Sequence, residues 1–161
     1  MSIPVIVSHN GTLTNAGGNN DLLELTPADD KPIRLRRLFL GQGTELGDAA
    51  EESLRITVRR LGSAVTSGSG GGSPSIEVPD TGIGTPGVTA EGLNTTVATT
   101  SGANDILFDG YWNIRQSPLE LVWPEQDKAP TAKGAEVLVV RCEDTAADDI
   151  TVSITAELDE G

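Results

Sequence analysis

The chain has 161 residues, enough for one domain around one core of ordinary size. Its 24 acidic and 11 basic residues leave a net charge of −13, a field that repels phosphate and anionic lipid and so argues against nucleic acid and membrane surfaces as partners. Aromatic residues make up only 3%, so aliphatic side chains must fill the core, and the single cysteine, Cys142, leaves no internal disulfide to form.

Ile3 to Ser8 reads as a first strand, and Asn10-Gly11 after it as a tight hairpin turn, since that dipeptide readily supplies two positive φ values. Met1-Ser2-Ile3-Pro4 carries neither a basic region nor a long apolar segment, so a chain made without a signal peptide is expected. Ala16 to Asn20 is a second turn, Asp21 to Thr26 a short strand, and the polar stretch Pro27 to Pro32 a loop. Ile33 to Gln42 is a longer strand whose alternation slips at Arg36-Arg37, where a β-bulge would restore the facing of the side chains. Gly47 to Glu52 has the composition of one helical turn, too short to be stable alone. Ser53 to Arg60 alternates cleanly, with Leu54, Ile56 and Val58 on one face and Arg55, Thr57 and Arg59 on the other.

Between Leu61 and Asn104 the chain changes character. Ten of its 19 glycines lie there, among them Gly68, Gly70, Gly71 and Gly72, with Pro74, Pro79 and Pro86. A long glycine-rich excursion in a compact domain usually has a use. Residues 62–92 are expected to form an extended loop or arm, with Ser75 to Val78 as a short strand inside it. Leu93 to Thr99, Ile106 to Phe108, Tyr111 to Arg115 and Leu119 to Trp123 follow as short strands around turns at Asp109-Gly110 and Ser117-Pro118. Trp123 to Pro130 reads as an exposed loop. Glu136 to Cys142 is apolar on both faces, as a central strand would be, and Ile150 to Leu158 alternates to the end. About nine short strands with no helical periodicity specify an all-β domain, residues 1–161, built as a jelly roll or related β-sandwich.

The chemistry-bearing residues do not form a constellation in sequence. His9, the one histidine, reads as a turn residue, and Cys142 as a small buried hydrophobe rather than a thiolate. One histidine and one cysteine cannot make a usual zinc site, and the acidic pairs Asp29-Asp30 and Asp148-Asp149 lack EF-hand spacing. Gly82-Ile83-Gly84-Thr85-Pro86-Gly87 matches dinucleotide-fingerprint spacing, but Pro86 interrupts it and no helix pattern follows. No catalytic residue, cofactor or metal is expected. Trp112 belongs in a core. Trp123, entering a loop, could lie in an interface or serve a carbohydrate-binding module as a stacking surface.

Three stretches carry a family resemblance: Phe39-Leu40-Gly41-Gln42-Gly43-Thr44-Glu45-Leu46-Gly47-Asp48-Ala49-Ala50-Glu51-Glu52 leading into Leu54 to Arg60; Thr66-Ser67-Gly68-Ser69-Gly70-Gly71; and Val137 to Arg141 followed by Ile150 to Thr155. In this layout the chain resembles the small structural proteins of tailed-bacteriophage virions, especially head decoration proteins. The resemblance implies a β-rich unit, often a homotrimer, made in the host cytoplasm. It would sit on the virion surface, clamping copies of the major capsid protein, and have no catalytic residues. A tail or head–tail component is the alternative within the same class. Under this reading the contact residues are Val65, Ser67, Gly70, Pro74, Ile76 and Val78 of the arm, with Trp123 and Pro124. Deleting Ser67 to Ser73 should then weaken assembly and leave a folded domain.

Overall fold

The computed structural model describes residues 2–16, 18–44, 52–116 and 118–161. Thirteen strands follow in chain order: β1 Ile3–Leu13, β2 Asn20–Thr26, β3 Ile33–Gln42, β4 Ser53–Leu61, β5 Val65–Thr66, β6 Ser75–Glu77, β7 Thr89–Asn94, β8 Thr99–Thr100, β9 Asn104–Asn113, β10 Leu119–Val122, β11 Thr131–Ala132, β12 Val137–Cys142 and β13 Ile150–Glu160. One short 3-10 turn, Gln126–Lys128, interrupts them. The helical turn expected at Gly47 to Glu52 falls outside the described residues, apart from Glu52.

The strands form an antiparallel sandwich. The first sheet runs β10-β3-β13-β1-β6, with β11 beside β10 on the same edge of β3; the second runs β7-β2-β12-β4-β9. Without the short additions, the quartets are β10-β3-β13-β1 and β2-β12-β4-β9. The chain changes sheet at each of these strands except from β4 to β9, which pair directly. Two interlocked Greek keys wired in this way are a jelly roll.

Period-two alternation makes the core. Val5 and Val7 of β1, Leu38 and Leu40 of β3, Leu54, Ile56 and Val58 of β4, Leu138 and Val140 of β12, and Ile150, Val152, Ile154 and Ala156 of β13 all point between the sheets and are fully buried or nearly so. Each valine, leucine or isoleucine side chain so buried contributes about 1.5–3 kcal/mol. The slip read at Arg36-Arg37 is a bulge: Arg37 pairs with Glu157 and Leu35 with Leu158, so Arg36 has no counterpart on β13. Its guanidinium instead reaches the Asp159 carboxylate and the carbonyls of Trp123 and Pro124.

Two expected turns are strand. Asn10-Gly11 runs through β1, paired with Ser153 and Val152. A β-carbon at Gly11 would lie 2.7 Å from Leu93 Cδ1, so this glycine serves close packing, not reversal. Likewise Asp109-Gly110 lies inside β9, where the Phe108 ring covers Gly110 at 2.7 Å from the position of a β-carbon. His9 is therefore a strand residue, packed against Gly72 and Gly92 where β1 meets β7.

The glycine-rich excursion, from Gly62 to Ala103, lies on its own domain. It adds β6 to the edge of the first sheet beside β1 and β7 to the edge of the second beside β2. Its remaining length covers part of the outer face of the second sheet. There Leu61, Ala98, Val137 and Val139 form a second small core, with Val65 packed against it. This explains why β2 and β12 are buried on both faces. The excursion is tied down by three buried carboxylates of the sandwich, each accepting main-chain N–H groups. Glu24 takes Gly68 at 2.9 Å, Asp21 takes Ala98 at 2.6 Å, and Glu160 takes Gly87 and Val88 at 2.8 and 2.6 Å. Asp21 also pairs with Arg141, whose Nη2 donates to the Ala98 carbonyl. Burial pushes the Asp21 carboxyl up, against the opposing pull of Arg141.

Candidate interaction surface

The flank formed by β6, β1, β2 and β7 is closed by the excursion. The opposite flank is open. There β9 ends the second sheet, and its far edge, ten residues long, has no strand beside it among the described residues. The last strands of the first sheet on this side, β10 and β11, are only four and two residues long.

The sequence of β9, Asn-Asp-Ile-Leu-Phe-Asp-Gly-Tyr-Trp-Asn, alternates across its second half. Trp112 points inward and is 2% exposed, with Phe108 packed on the core beside it. Tyr111 faces outward and is 69% exposed. The register then breaks: Phe108 pairs with Val58 and Ile106 with Arg59, so Leu107 has no counterpart on β4. This bulge leaves Ile106 46% and Leu107 36% exposed. On β10, Val122 is 57% exposed. These four are the exposed large hydrophobic residues among those described, and all lie on the two strands of this flank.

Charge is cancelled along β9. Arg55 of β4 grips the Asp109 carboxylate with two contacts of 2.6 and 2.8 Å, Arg60 holds Asp105 at 2.7 Å, and Arg59 holds Glu143 at 2.7 Å. The Arg55 guanidinium keeps the Asp109 carboxyl below the usual carboxylate range. A strip with paired charges and exposed apolar groups thus crosses a chain of net charge −13.

Of the contact residues expected from sequence, the six of the excursion lie away from this flank, while Trp123 and Pro124 follow directly on β10. Val65 is half-buried on the second core, and Ser67 Oγ donates to Glu24 at 2.5 Å. Gly70 takes a φ of +85° beside Thr95. Pro74 and Val78 are half-buried, and Ile76 pairs with Val7 and packs on the main core. Trp123 packs on the main core while its backbone pairs with Arg36; Pro124 is exposed, and its carbonyl accepts from the same arginine. Sequence reasoning missed Ile106, Leu107, Tyr111 and Val122. Reading Asp109-Gly110 as a turn split β9 into two pieces and hid its length and outward face.

Cys142 lies in the core with its Sγ 3.2 Å from the Asp144 carbonyl, and burial pushes the thiol up to about 12. His9 is on the first sheet and Cys142 on the second. Among the described residues no group of three or more His, Cys, Asp or Glu side chains is placed to hold a metal ion. A surface cavity of about 370 Å³ opens where β2 meets the start of the excursion, but its buried carboxylate, Glu24, is already bonded to Ser67 and Gly68. No helix among the described residues is long and apolar enough to cross a membrane. No family model matches the chain, and neither the curated proteins nor the solved structures compared with it contain a match.

Proposed function

We propose that the chain is a structural subunit that acts by assembling with other subunits, and that the assembly is a virion shell which it decorates on the outside. The observation that carries this reading is the asymmetry of the sandwich. One flank is closed by the chain's own excursion, while the other presents a ten-residue open edge and every exposed large hydrophobic side chain among the described residues. A soluble domain seldom leaves such an edge bare unless something covers it. Jelly rolls occur in capsid proteins and in lectins alike, so the fold is compatible with a shell part without selecting it. The layout resemblance to head decoration proteins selects the shell.

The carbohydrate-binding alternative draws less support. Trp123, its expected platform, packs on the core, and Tyr111 is the one aromatic side chain widely open to solvent. The test is particle association. Purified protein is added to phage particles produced without it and sedimented through a gradient. Co-migration at a fixed ratio to the major capsid protein is expected. Protein left at the top of the gradient would overturn the reading.

A further inference from the structure

We propose that the open edge of β9 is completed by the β9 of a second copy of this chain, joined antiparallel about a two-fold axis. The inference rests on the assembly reading and adds the identity of one partner. Three observations on the strand lead to it.

The first is the edge itself. Among the described residues, Asn104–Asn113 pair with β4 on one side alone, which leaves a row of main-chain donors and acceptors on the other. Two of the usual guards against strand addition are missing: β9 contains no lysine and no proline. Its one bulge, at Leu107, turns an apolar side chain outward instead of shielding the edge with a charge.

The second is electrostatic. Two copies at −13 each repel, so self-contact requires a surface where charge has been cancelled. On β9 both carboxylates, Asp105 and Asp109, are held by arginines of the neighbouring strand. A basic partner would gain nothing at this strip and would be drawn to the acidic surfaces elsewhere. A second copy meets an apolar, neutral match.

The third is closure. Pairing β9 with any different edge leaves each copy's own β9 to meet a further copy, so the assembly closes only if the rotation happens to complete a ring and otherwise grows as an open chain. Pairing β9 with itself consumes both edges at once. The two five-stranded sheets then become one continuous sheet across the axis.

The experiment is native mass by light scattering over a dilution series at low and at physiological salt, with variants in β9. The wild-type chain should reach twice the monomer mass. Salt should favour the dimer, because it screens overall repulsion while the contact itself is neutral. Leu107→Lys should raise the dissociation constant at least about tenfold. Should Leu107→Lys fold poorly, Tyr111→Lys, at a more exposed position on the same strand, gives the same readout. A wild-type monomer at every concentration and salt, a trimer, or a dimer indifferent to the lysine variants would each overturn the inference. Particle association, measured separately, would stand or fall independently of these outcomes.

Discussion

The carboxylate of Glu24, on β2, receives the main-chain N–H of Gly68 at 2.9 Å and the hydroxyl of Ser67 at 2.5 Å, although Glu24 is only 2% exposed. A buried charge is tolerated only when its hydrogen-bonding capacity is met, and here the glycine-rich excursion meets it. The absence of a side chain at Gly68 is part of the arrangement: a β-carbon there would lie 2.6 Å from the Thr96 carbonyl oxygen and 2.7 Å from Asn94 Nδ2. The excursion and the sandwich therefore stabilise each other.

Glu24→Ala should destabilise the domain by about 1–3 kcal/mol, because the buried Gly68 N–H loses its acceptor and the Ser67 hydroxyl loses its own. Ser67→Ala should cost less, about 0.5–1.5 kcal/mol. Denaturant midpoints measure both, and limited proteolysis of Glu24→Ala should cut first between Gly62 and Ala103. Deleting Ser67 to Ser73 would strip Glu24 of the Ser67 and Gly68 donors and leave it Asn94 alone, so a lowered Tm is expected where the sequence alone suggested an indifferent arm.

Gly92 and His9 form a tight contact, with a β-carbon at Gly92 falling 2.5 Å from His9 Cδ2. Gly92→Ala should be destabilising, and His9→Ala should relieve most of that cost. A double-mutant cycle should give a coupling energy of about 0.5–3 kcal/mol. Simple additivity would show that the clash is relaxed elsewhere.

Burial holds the His9 imidazole below its ordinary value of 6.5. As pH falls, the unfolded chain takes up this proton before the folded one does. The stability contributed by neutral His9 is thus complete above 6.5 and is lost as pH falls through the lower folded value. Thermal melts across this range should show a drop in Tm on acidification that is smaller in His9→Gln.

Cys142, its thiol raised to about 12 by burial, should not react with an aromatic disulfide reagent in the native protein at pH 8 and should react fully in denaturant. Rapid native labelling would place the β12 core in exchange with open states.

Arg36, the extra residue of the β3 bulge, holds Asp159 at 3.1 Å and the carbonyls of Trp123 and Pro124 at 3.1 and 3.0 Å. Arg36→Lys keeps the charge and loses the fork. A red shift of tryptophan emission is expected as Trp123 loosens, with little change in the Trp112 contribution, since Trp112 stays in the core on β9.

Much of the fold was legible because burial on one face imposes a period of two, and β4, β12 and β13 display that period or its doubly buried counterpart without interruption. The Arg36 bulge was legible because an extra residue shifts the phase of everything after it. Asn10-Gly11 and Asp109-Gly110 misled because a glycine required by a neighbouring side chain looks, in one dimension, like a glycine required by a turn. The candidate interaction surface was hidden for a related reason. Exposure of Ile106, Leu107 and Tyr111 depends on β9 being last in its sheet, and sheet order is set by pairings distant in sequence. The docking of the excursion depends on Glu24, Asp21 and Glu160, which in sequence are indistinguishable from solvated carboxylates.

Amide hydrogen exchange, compared between the dilute chain and its assembled form, tests the central claim most directly. Protection gained on assembly should fall in Asn104–Asn113 and Leu119–Val122, with the segment from Gly62 to Gly92 already protected beforehand and unchanged. Protection gained in the glycine-rich segment, with β9 unaffected, would contradict the account and return the contact surface to the arm.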